Sequence, residues 1–139
     1  MSFSFAHAGI RVSDMDRALA FYEDVFGFKK LFVMGHPKTG EPWIVYVGTD
    51  VPGQFLELFF GGEKEIPFAP DIIGVWHLCL RTEDVQAFAD RVKAKGYTLW
   101  NEPSLGVDGS INCWIEDPDH NKIEVMQYLP DSKQMATMK

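Results

Sequence analysis

Two histidines and two glutamates stand at matching places in the two halves of this 139-residue chain. His7 precedes Glu57 by 50 residues, and His77 precedes Glu124 by 47 residues. Equivalent atoms of two related halves lie symmetrically about a pseudo-twofold axis, so the four side chains would converge if the halves face each other. Imidazole nitrogen and carboxylate oxygen together suit a borderline divalent metal ion such as zinc, nickel, cobalt or manganese.

The two halves are related because a short motif occurs twice, at residues 7–14 and 77–84. In both copies Arg follows His by four residues, and Asp follows that Arg by three. An amphipathic segment comes next and ends in glycine plus an aromatic residue, at 27–28 and at 96–97. Self-similarity with a period of about half the chain indicates two copies of one supersecondary unit.

The setting of the two glutamates favours a paired or metal-bound state. Glu57 lies within the apolar run 55–60, and Glu124 lies within the apolar run 123–126. A carboxylate in such surroundings is costly to bury unless it is paired or bound to a metal. Four protein ligands in an octahedral shell would leave two adjacent positions open, which a substrate with two neighbouring oxygens would fill.

Other polar residues have both a structural and a functional interpretation. A lone strand histidine is more often a core or surface residue than a ligand, and it is the matching of all four positions that favours the metal. Arg11 and Arg81 share the faces of their strand histidines, so each either pairs with a carboxylate or anchors an anionic substrate group. His36 and His120 lie in turns and are expected to be solvated rather than to bind metal.

The surrounding pattern predicts an α+β chain in which each half has the order strand, helix and three strands. Ser13 and Thr82 are predicted N-caps, and Gly27 and Gly96 are predicted helix stops. The polar tail from residue 130 is expected to be frayed. The strands are predicted at 3–12, 29–34, 42–47, 55–60, 75–81, 98–102, 110–116 and 122–128, with turns at 35–41, 50–53, 103–109 and 117–121. We therefore expect one domain over residues 1–139, with modules at about 3–60 and 75–128 and a linker at 61–74.

Composition excludes several classes of function. The net charge of -7 argues against nucleic-acid or acidic-membrane partners, because both need a basic surface. No apolar run approaches the length of a membrane span, and we expect no signal peptide. Cys79 and Cys113 are the only cysteines and are expected to be reduced thiols, which favours the cytoplasm.

These motifs resemble the vicinal oxygen chelate superfamily over residues 5–128. The resemblance rests on the twofold βαβββ order, the His-x-x-x-Arg-Val-x-Asp sequence before the first helix, and Glu-Asp-Pro-Asp at 116–119 before Lys-Ile-Glu at 122–124. Within that superfamily the order His, Glu, His, Glu is most similar to glyoxalase I. Those lactoylglutathione lyases isomerise the hemithioacetal of methylglyoxal and glutathione.

The resemblance implies a half-barrel with one divalent ion per site, nickel, cobalt or zinc, held by His7, Glu57, His77 and Glu124. It implies that Glu124 is the catalytic base and that Glu57 is the opposed carboxylate. Arg11 matches the arginine that holds a glutathione carboxylate. It also implies a small-molecule substrate, glutathione as a cosubstrate and a homodimer. Phe59, Met126 and Trp114 are predicted to line the substrate site and exclude water.

The chain departs from that pattern around glutathione. Gly61 stands where the family commonly has an Asn that holds glutathione, and residues 101–121 contain no Lys or Arg but include Asp108. His120 replaces the glycine of the closing turn. An alternative is therefore a glutathione-independent, metal-dependent isomerase or epimerase of another small hydroxycarbonyl. A third hypothesis is a metal-free, ligand-sequestering binding protein, which the complete ligand set disfavours.

Overall fold

The computed structural model describes residues 1–49 and 51–139, and it divides into two compact units, Met1–Pro67 and Phe68–Lys139. The turn predicted at 50–53 begins at Asp50, which lies outside the described residues, and 51–53 do form a bend and turn.

The first unit has the predicted β-α-β-β-β order. Its elements are β1 (His7–Arg11), α1 (Met15–Phe26), β2 (Lys29–Gly35), β3 (Pro42–Gly48) and β4 (Phe55–Phe59). The four strands form one sheet in the order β1-β4-β3-β2, in which β1 and β4 are parallel and the other pairs are antiparallel. Strand β4 is therefore interior, and its Glu57 lies between Gly9 on β1 and Tyr46 on β3.

The second unit repeats this arrangement and adds a short helix. Its elements are β5 (Leu78–Arg81), α2 (Val85–Ala94), β6 (Asn101–Leu105), β7 (Ile111–Glu116), β8 (Lys122–Gln127) and α3 (Lys133–Ala136). The sheet order is β5-β8-β7-β6, with β5 parallel to β8. Glu124 on the interior strand β8 lies between Cys79 on β5 and Trp114 on β7. The prediction of an α+β fold with two βαβββ repeats is confirmed.

Each long helix covers one face of its own sheet. The buried face of α2 consists of Val85, Phe88, Ala89 and Val92, as the apolar spacing predicts. In α1 the buried face consists of Met15, Ala18, Phe21, Tyr22 and Val25. Burying one such Val, Leu or Phe side chain contributes about 1.5–3 kcal/mol, so these stripes fix the helices on the sheets.

The predicted N-caps are wrong by one or two residues. Asp14 caps α1, because its Oδ1 accepts a hydrogen bond from the Arg17 backbone N–H at 2.9 Å. Asp84 caps α2 in the same way, through the Ala87 N–H at 2.8 Å. In both repeats the Asp of the motif, rather than the preceding Ser or Thr, satisfies the open N–H groups of the first turn.

Several strand boundaries also differ from the prediction. Strand β1 begins at His7 rather than at residue 3, and β5 begins after His77. Strand β6 runs from Asn101 to Leu105, so part of the loop predicted at 103–109 is strand. Pro103 is tolerated there because β6 is an edge strand whose register shifts between Asn101 and Ser104.

The tail predicted to be frayed is ordered. Ser132 is buried and caps α3 by accepting a hydrogen bond from the Met135 N–H at 3.3 Å. The Lys133 N–H donates to the Asp108 carbonyl at 2.8 Å, and Gln134 donates a hydrogen bond to the Asp108 carboxylate. The tail therefore clamps the loop between β6 and β7, which is a long-range contact that local sequence does not reveal.

Strand β2 is the outer strand of the first sheet. None of its seven residues is buried, although Leu31, Phe32, Val33 and Met34 are apolar. Its register with β3 shifts between Lys30 and Phe32.

Within residues 1–49 and 51–139, none of the helices is long and apolar enough to cross a membrane.

Candidate metal and catalytic site

The first unit brings His7 and Glu57 together. The His7 Nε2 lies 3.3 Å from Glu57 Oε2, and the carboxylate is almost buried, with a residue exposure of 8%. The parallel pairing of β1 with β4 places His7 two positions before the strand partner of Glu57. Both side chains stand on the sheet face opposite the buried Leu56 and Leu58, because successive strand residues point to opposite sides.

Strand β3 donates a hydrogen bond to the carboxylate of Glu57, and strand β1 leaves space for it. The Tyr46 hydroxyl donates a hydrogen bond to Glu57 Oε1, and this bond, together with burial and the negative charge of Glu57, raises the pKa of Tyr46. Phe32 stacks on the Tyr46 ring, with centroids 4.2 Å apart. On the other side, a Cβ at Gly9 would lie 3.2 Å from Glu57 Oε2. Gly9 thus leaves the space that the carboxylate needs.

The second unit brings His77 and Glu124 together at the same distance. The His77 Nε2 lies 3.3 Å from Glu124 Oε2, and Glu124 also has a residue exposure of 8%. The His77 Nδ1 is buried and has no hydrogen-bond partner among the residues that the structure describes. The Trp114 ring lies edge-on to the His77 imidazole, with centroids 4.8 Å apart.

Glu124 has a different neighbour from Glu57. Burial, followed by the charge of Glu124 and a hydrogen bond to it, raises the pKa of the Cys79 thiol to about 12. This thiol therefore stays protonated at neutral pH and donates a hydrogen bond to Glu124. Glu57 receives the corresponding hydrogen bond from Tyr46. Burial raises the pKa of Cys113 to about 11, and neither cysteine forms a disulfide. Because a thiol is a weaker donor than a phenol, Glu124 is held less firmly than Glu57.

The pairs found have the donor spacing of metal ligands. Two donors bound at about 2.1 Å to one ion lie about 3.0 Å apart at right angles and about 3.4 Å apart in a tetrahedral shell. The 3.3 Å separation of nitrogen and oxygen in both pairs falls in this range. Within residues 1–49 and 51–139, no group of three or more His, Cys, Asp and Glu could hold a metal ion. The four-ligand site stays a prediction.

The predicted substrate anchor Arg11 has a structural contact. Its Nη1 donates to the Phe60 carbonyl at 2.7 Å, and its guanidinium lies 5.4 Å from the centre of the Phe59 ring. These contacts hold β1 to the end of β4. Arg81 instead lies over the Tyr128 ring at 4.5 Å. Among the described residues, neither arginine forms an ion pair with the glutamate of its own half, so the contacts do not support the ion-pair interpretation.

The other predicted site residues are distributed between exposed and buried positions. Phe59 is half-buried and meets the Trp43 ring edge-on, and Met126 is buried against Gln134. His36 and His120 lie in turns, as predicted. His120 adopts a left-handed φ of 65°, and its Nδ1 lies 3.0 Å from Glu116 Oε2.

Sequence reasoning missed Tyr46 and Cys79 as neighbours of the two glutamates. Strand alternation indicates which residues share a face, but it does not give the register between strands that are distant in sequence. Cys79 carried a usable signal, because it occupies in the second motif the place that Gly9 occupies in the first. No comparable sequence signal identifies Tyr46 as a neighbour of Glu57.

Comparisons with known proteins agree with the fold. The sequence model of the Glyoxalase/Bleomycin resistance protein/Dioxygenase superfamily matches residues 4–125. A probable lactoylglutathione lyase of Synechocystis sp. is 31% identical over 87% of this chain and 92% of its own length. A lactoylglutathione lyase of Arabidopsis thaliana is 30% identical over 91% of this chain, which spans only 44% of that relative. The crystal structure of a lactoylglutathione lyase from Agrobacterium tumefaciens is 25% identical, with a TM-score of 0.65, 89% of this chain covered and 92% of that chain.

Proposed function

From the premise that this chain belongs to the Glyoxalase/Bleomycin resistance protein/Dioxygenase superfamily, we propose that it is a metal-dependent lyase or isomerase of the glyoxalase I type. Its substrate is an α-hydroxycarbonyl, such as the hemithioacetal of methylglyoxal and glutathione, which would give S-lactoylglutathione. Relatives named lactoylglutathione lyase support this reaction class.

The observation that carries the proposal is the repetition of one His–Glu pair at equivalent positions of the two repeats. Both pairs join Nε2 to Oε2 at 3.3 Å, although the residues around them differ. Nitrogen and carboxylate oxygen donors at this spacing fit a divalent ion such as nickel, cobalt or zinc. We propose His7, Glu57, His77 and Glu124 as its ligands, contributed either by one chain or by two chains of a homodimer.

The bound ion would act as a Lewis acid on two neighbouring substrate oxygens, which acidifies the C–H next to a carbonyl. Glu124 would take that proton and return it to the adjacent carbon, while the hydroxyl proton passes to the former carbonyl oxygen, so that the two carbons exchange oxidation level. Glu57 keeps its place, because Tyr46 holds its Oε1. The loosely held carboxylate moves the proton, and the firmly held carboxylate remains fixed.

Four further residues are proposed to contact substrate. Phe59 stands on the same strand face as Glu57, and Trp114 stands beside Glu124. Both rings would exclude water from the reacting atoms. Met126 is buried two residues after Glu124 and would line the substrate site beside it. Arg11 is exposed at the end of β1 and would receive an anionic group.

A second candidate is a metal-dependent isomerase or epimerase that does not use glutathione. One Nη of Arg11 is already committed to the Phe60 carbonyl, and residues 101–121 supply no other cation for a glutathione carboxylate. The chemistry at Glu124 would be the same, and only the part of the substrate remote from the reacting carbons would differ.

We also propose that the chain is a homodimer in the cytoplasm and that residues 1–139 act as one domain with a linker at 61–74. The two unpaired cysteines support a reducing compartment.

The deciding experiment is turnover on a panel of α-hydroxycarbonyls, with and without glutathione, after loading with nickel, cobalt, zinc or manganese. The first proposal expects turnover of the methylglyoxal hemithioacetal, with solvent deuterium entering the product. Turnover of free hydroxycarbonyls alone would instead support the second candidate. Tight binding with no turnover under any metal would contradict both and favour a sequestering protein.

Metal content tests the ligands separately. His77→Ala should lower the number of divalent ions bound per chain, because it removes one donor of the second pair. His36→Ala is the matched control, since this turn histidine is in neither pair and should leave metal content unchanged. Full metal content in His77→Ala would show that the ligand assignment is wrong.

A further inference from the structure

Four aromatic rings form a closed cluster beside His77 in the second unit. Trp76 lies 5.5 Å from Phe68 and 5.4 Å from Trp114, measured between ring centroids. Trp100 completes the cluster at 5.9 Å from Phe68 and 5.8 Å from Trp114. Most of these contacts are edge-to-face, which is a favourable geometry for aromatic pairs and gives the cluster a fixed shape.

The cluster contains its own cation. The Lys122 ammonium lies 4.1 Å from the centre of the Trp100 ring and 5.0 Å from that of Phe68. Lys122 is itself almost buried and pairs with the carboxylate of Glu116. The ammonium already occupies the ring faces turned towards it, and the Glu116 carboxylate neutralises its charge. The cluster therefore favours neither a cationic nor an anionic ligand.

Much of the cluster is nevertheless open to solvent. Phe68 is 42% exposed, and Trp76 and Trp100 are each 43% exposed. A contiguous exposed aromatic surface of this kind marks a binding surface more often than an incidental feature. Flat, rigid rings lose little conformational entropy when a ligand covers them, so they bind neutral planar groups well.

The surface is continuous with the proposed reaction site. The Trp76 ring lies 4.9 Å from the His77 imidazole, and the Trp114 ring lies 4.8 Å from it. A small molecule seated at His77 and Glu124 therefore reaches these rings with its next substituent. No Lys or Arg occurs between residues 101 and 121 to favour a charged substituent at this place.

We propose that Trp76, Trp100 and Trp114 form a substrate subsite for a neutral, planar aromatic substituent on the α-hydroxycarbonyl. The inference rests on the proposed function in taking His77 and Glu124 as the reaction site. It goes further by stating that an aryl-bearing substrate is preferred to one with a methyl group. Trp76 contributes an exposed ring next to the ligand, and Phe68 and Lys122 support the cluster.

The test compares two neutral probes that differ only in this substituent, 2-hydroxyacetophenone and hydroxyacetone. Binding is measured on the zinc-loaded protein by calorimetry and by tryptophan fluorescence, and no turnover is required. The wild type should bind the aryl probe at least about 10-fold more tightly, which is the scale of one good aromatic contact. Equal affinities for the two probes, or no binding of either, would overturn the subsite.

Three variants assign the preference to the rings. Trp76→Leu and Trp100→Leu should each bring the ratio of affinities to within about 3-fold, while Trp76→Phe should keep most of it, since a ring remains. Far-UV circular dichroism verifies that each variant is folded, and Trp43→Leu in the first unit is the matched control. If Trp76→Leu changes sedimentation but leaves the ratio unaltered, the surface is a contact between copies of the chain and the subsite is wrong.

Failure of the subsite and failure of the proposed function are distinguishable. An aryl preference without any turnover would retain the subsite and contradict the enzyme. Turnover of the methylglyoxal hemithioacetal without an aryl preference in binding would retain the enzyme and contradict the subsite.

Discussion

The Tyr46 hydroxyl donates a hydrogen bond to Glu57, and the strand register gives Glu124 no such partner on β7, where Trp114 takes the equivalent place. The repeat is therefore symmetric in its His–Glu pairs but asymmetric in what holds each carboxylate. This asymmetry distinguishes the two glutamates chemically, and the first two predictions depend on it.

Removing the Tyr46 hydroxyl should loosen Glu57. Tyr46→Phe keeps the ring that stacks on Phe32 but leaves Glu57 Oε1 without its donor. Loss of a group that orients a metal ligand typically weakens metal binding by about 10–100-fold. We expect a fall of that size in zinc affinity, measured by competition with a chelating dye. Tyr128→Phe is the control, because it also loses a hydroxyl, and an equal fall in both variants would contradict the role of Tyr46.

Replacing the proposed base should separate binding from turnover. Glu124→Gln keeps the shape and one oxygen donor but removes the group that accepts the proton. We expect metal and substrate still to bind, perceptibly more weakly for metal, while turnover falls by about 10²–10⁴-fold. Solvent deuterium should enter the product of the wild type and not that of the variant. Near-normal turnover in Glu124→Gln would transfer the base role to Glu57.

Cys79 should be unreactive at neutral pH. With a pKa of about 12, its thiolate fraction at pH 8 is on the order of 10⁻⁴, whereas that of a free cysteine is roughly 0.2. In a Cys113→Ala background, its reaction with an aromatic disulfide reagent should be about 1,000-fold slower than that of a free thiol. Adding Glu124→Gln removes the neighbouring negative charge and should accelerate the reaction. A rate equal to that of free cysteine would contradict the raised pKa of this thiol beside Glu124.

The raised pKa of Cys79 also makes the free energy of unfolding depend on pH. The folded pKa of Cys79 is above its unfolded value, so its contribution is fully present below about pH 8.5 and is lost as pH rises towards 12. Chemical denaturation of wild type and Cys79→Ala between pH 7 and pH 10.5 measures this loss. The free energy of unfolding should fall more steeply with pH in the wild type.

The C-terminal helix should stabilise the β6–β7 loop in a pH-dependent manner. A hydrogen bond from Gln134, followed by the Ser110 N–H, lowers the pKa of Asp108. A depressed carboxyl pKa contributes stability at neutral pH that is lost as pH falls. Gln134→Ala should therefore lower the midpoint of thermal unfolding more at pH 7 than at pH 3. Met138→Ala, at an exposed tail residue, is the control, and an equal effect of Gln134→Ala at both pH values would contradict the role of this bond.

The repeat made much of the fold and of the two pairs predictable. A duplicated motif identifies equivalent residues without any knowledge of distance, so both His–Glu pairs and both βαβββ orders follow from sequence spacing. The position of Tyr46 opposite Glu57 does not follow, because register between distant strands depends on packing. Ordering of the tail depends on Asp108, which is 26 residues from Gln134 in sequence. Contacts over such separations leave no local periodicity.

The exposed outer strand β2 has a consequence for how the protein behaves at high concentration. Leu31, Phe32, Val33 and Met34 form an exposed apolar run on an edge strand, which is a template for pairing with another copy. Lys29 and Lys30 open this strand, and the chain carries a net charge of -7, so two copies that approach each other repel. Electrostatic repulsion rather than burial opposes aggregation through this edge. Colloidal stability should therefore decline in high salt, where that repulsion is screened, even while the fold remains intact.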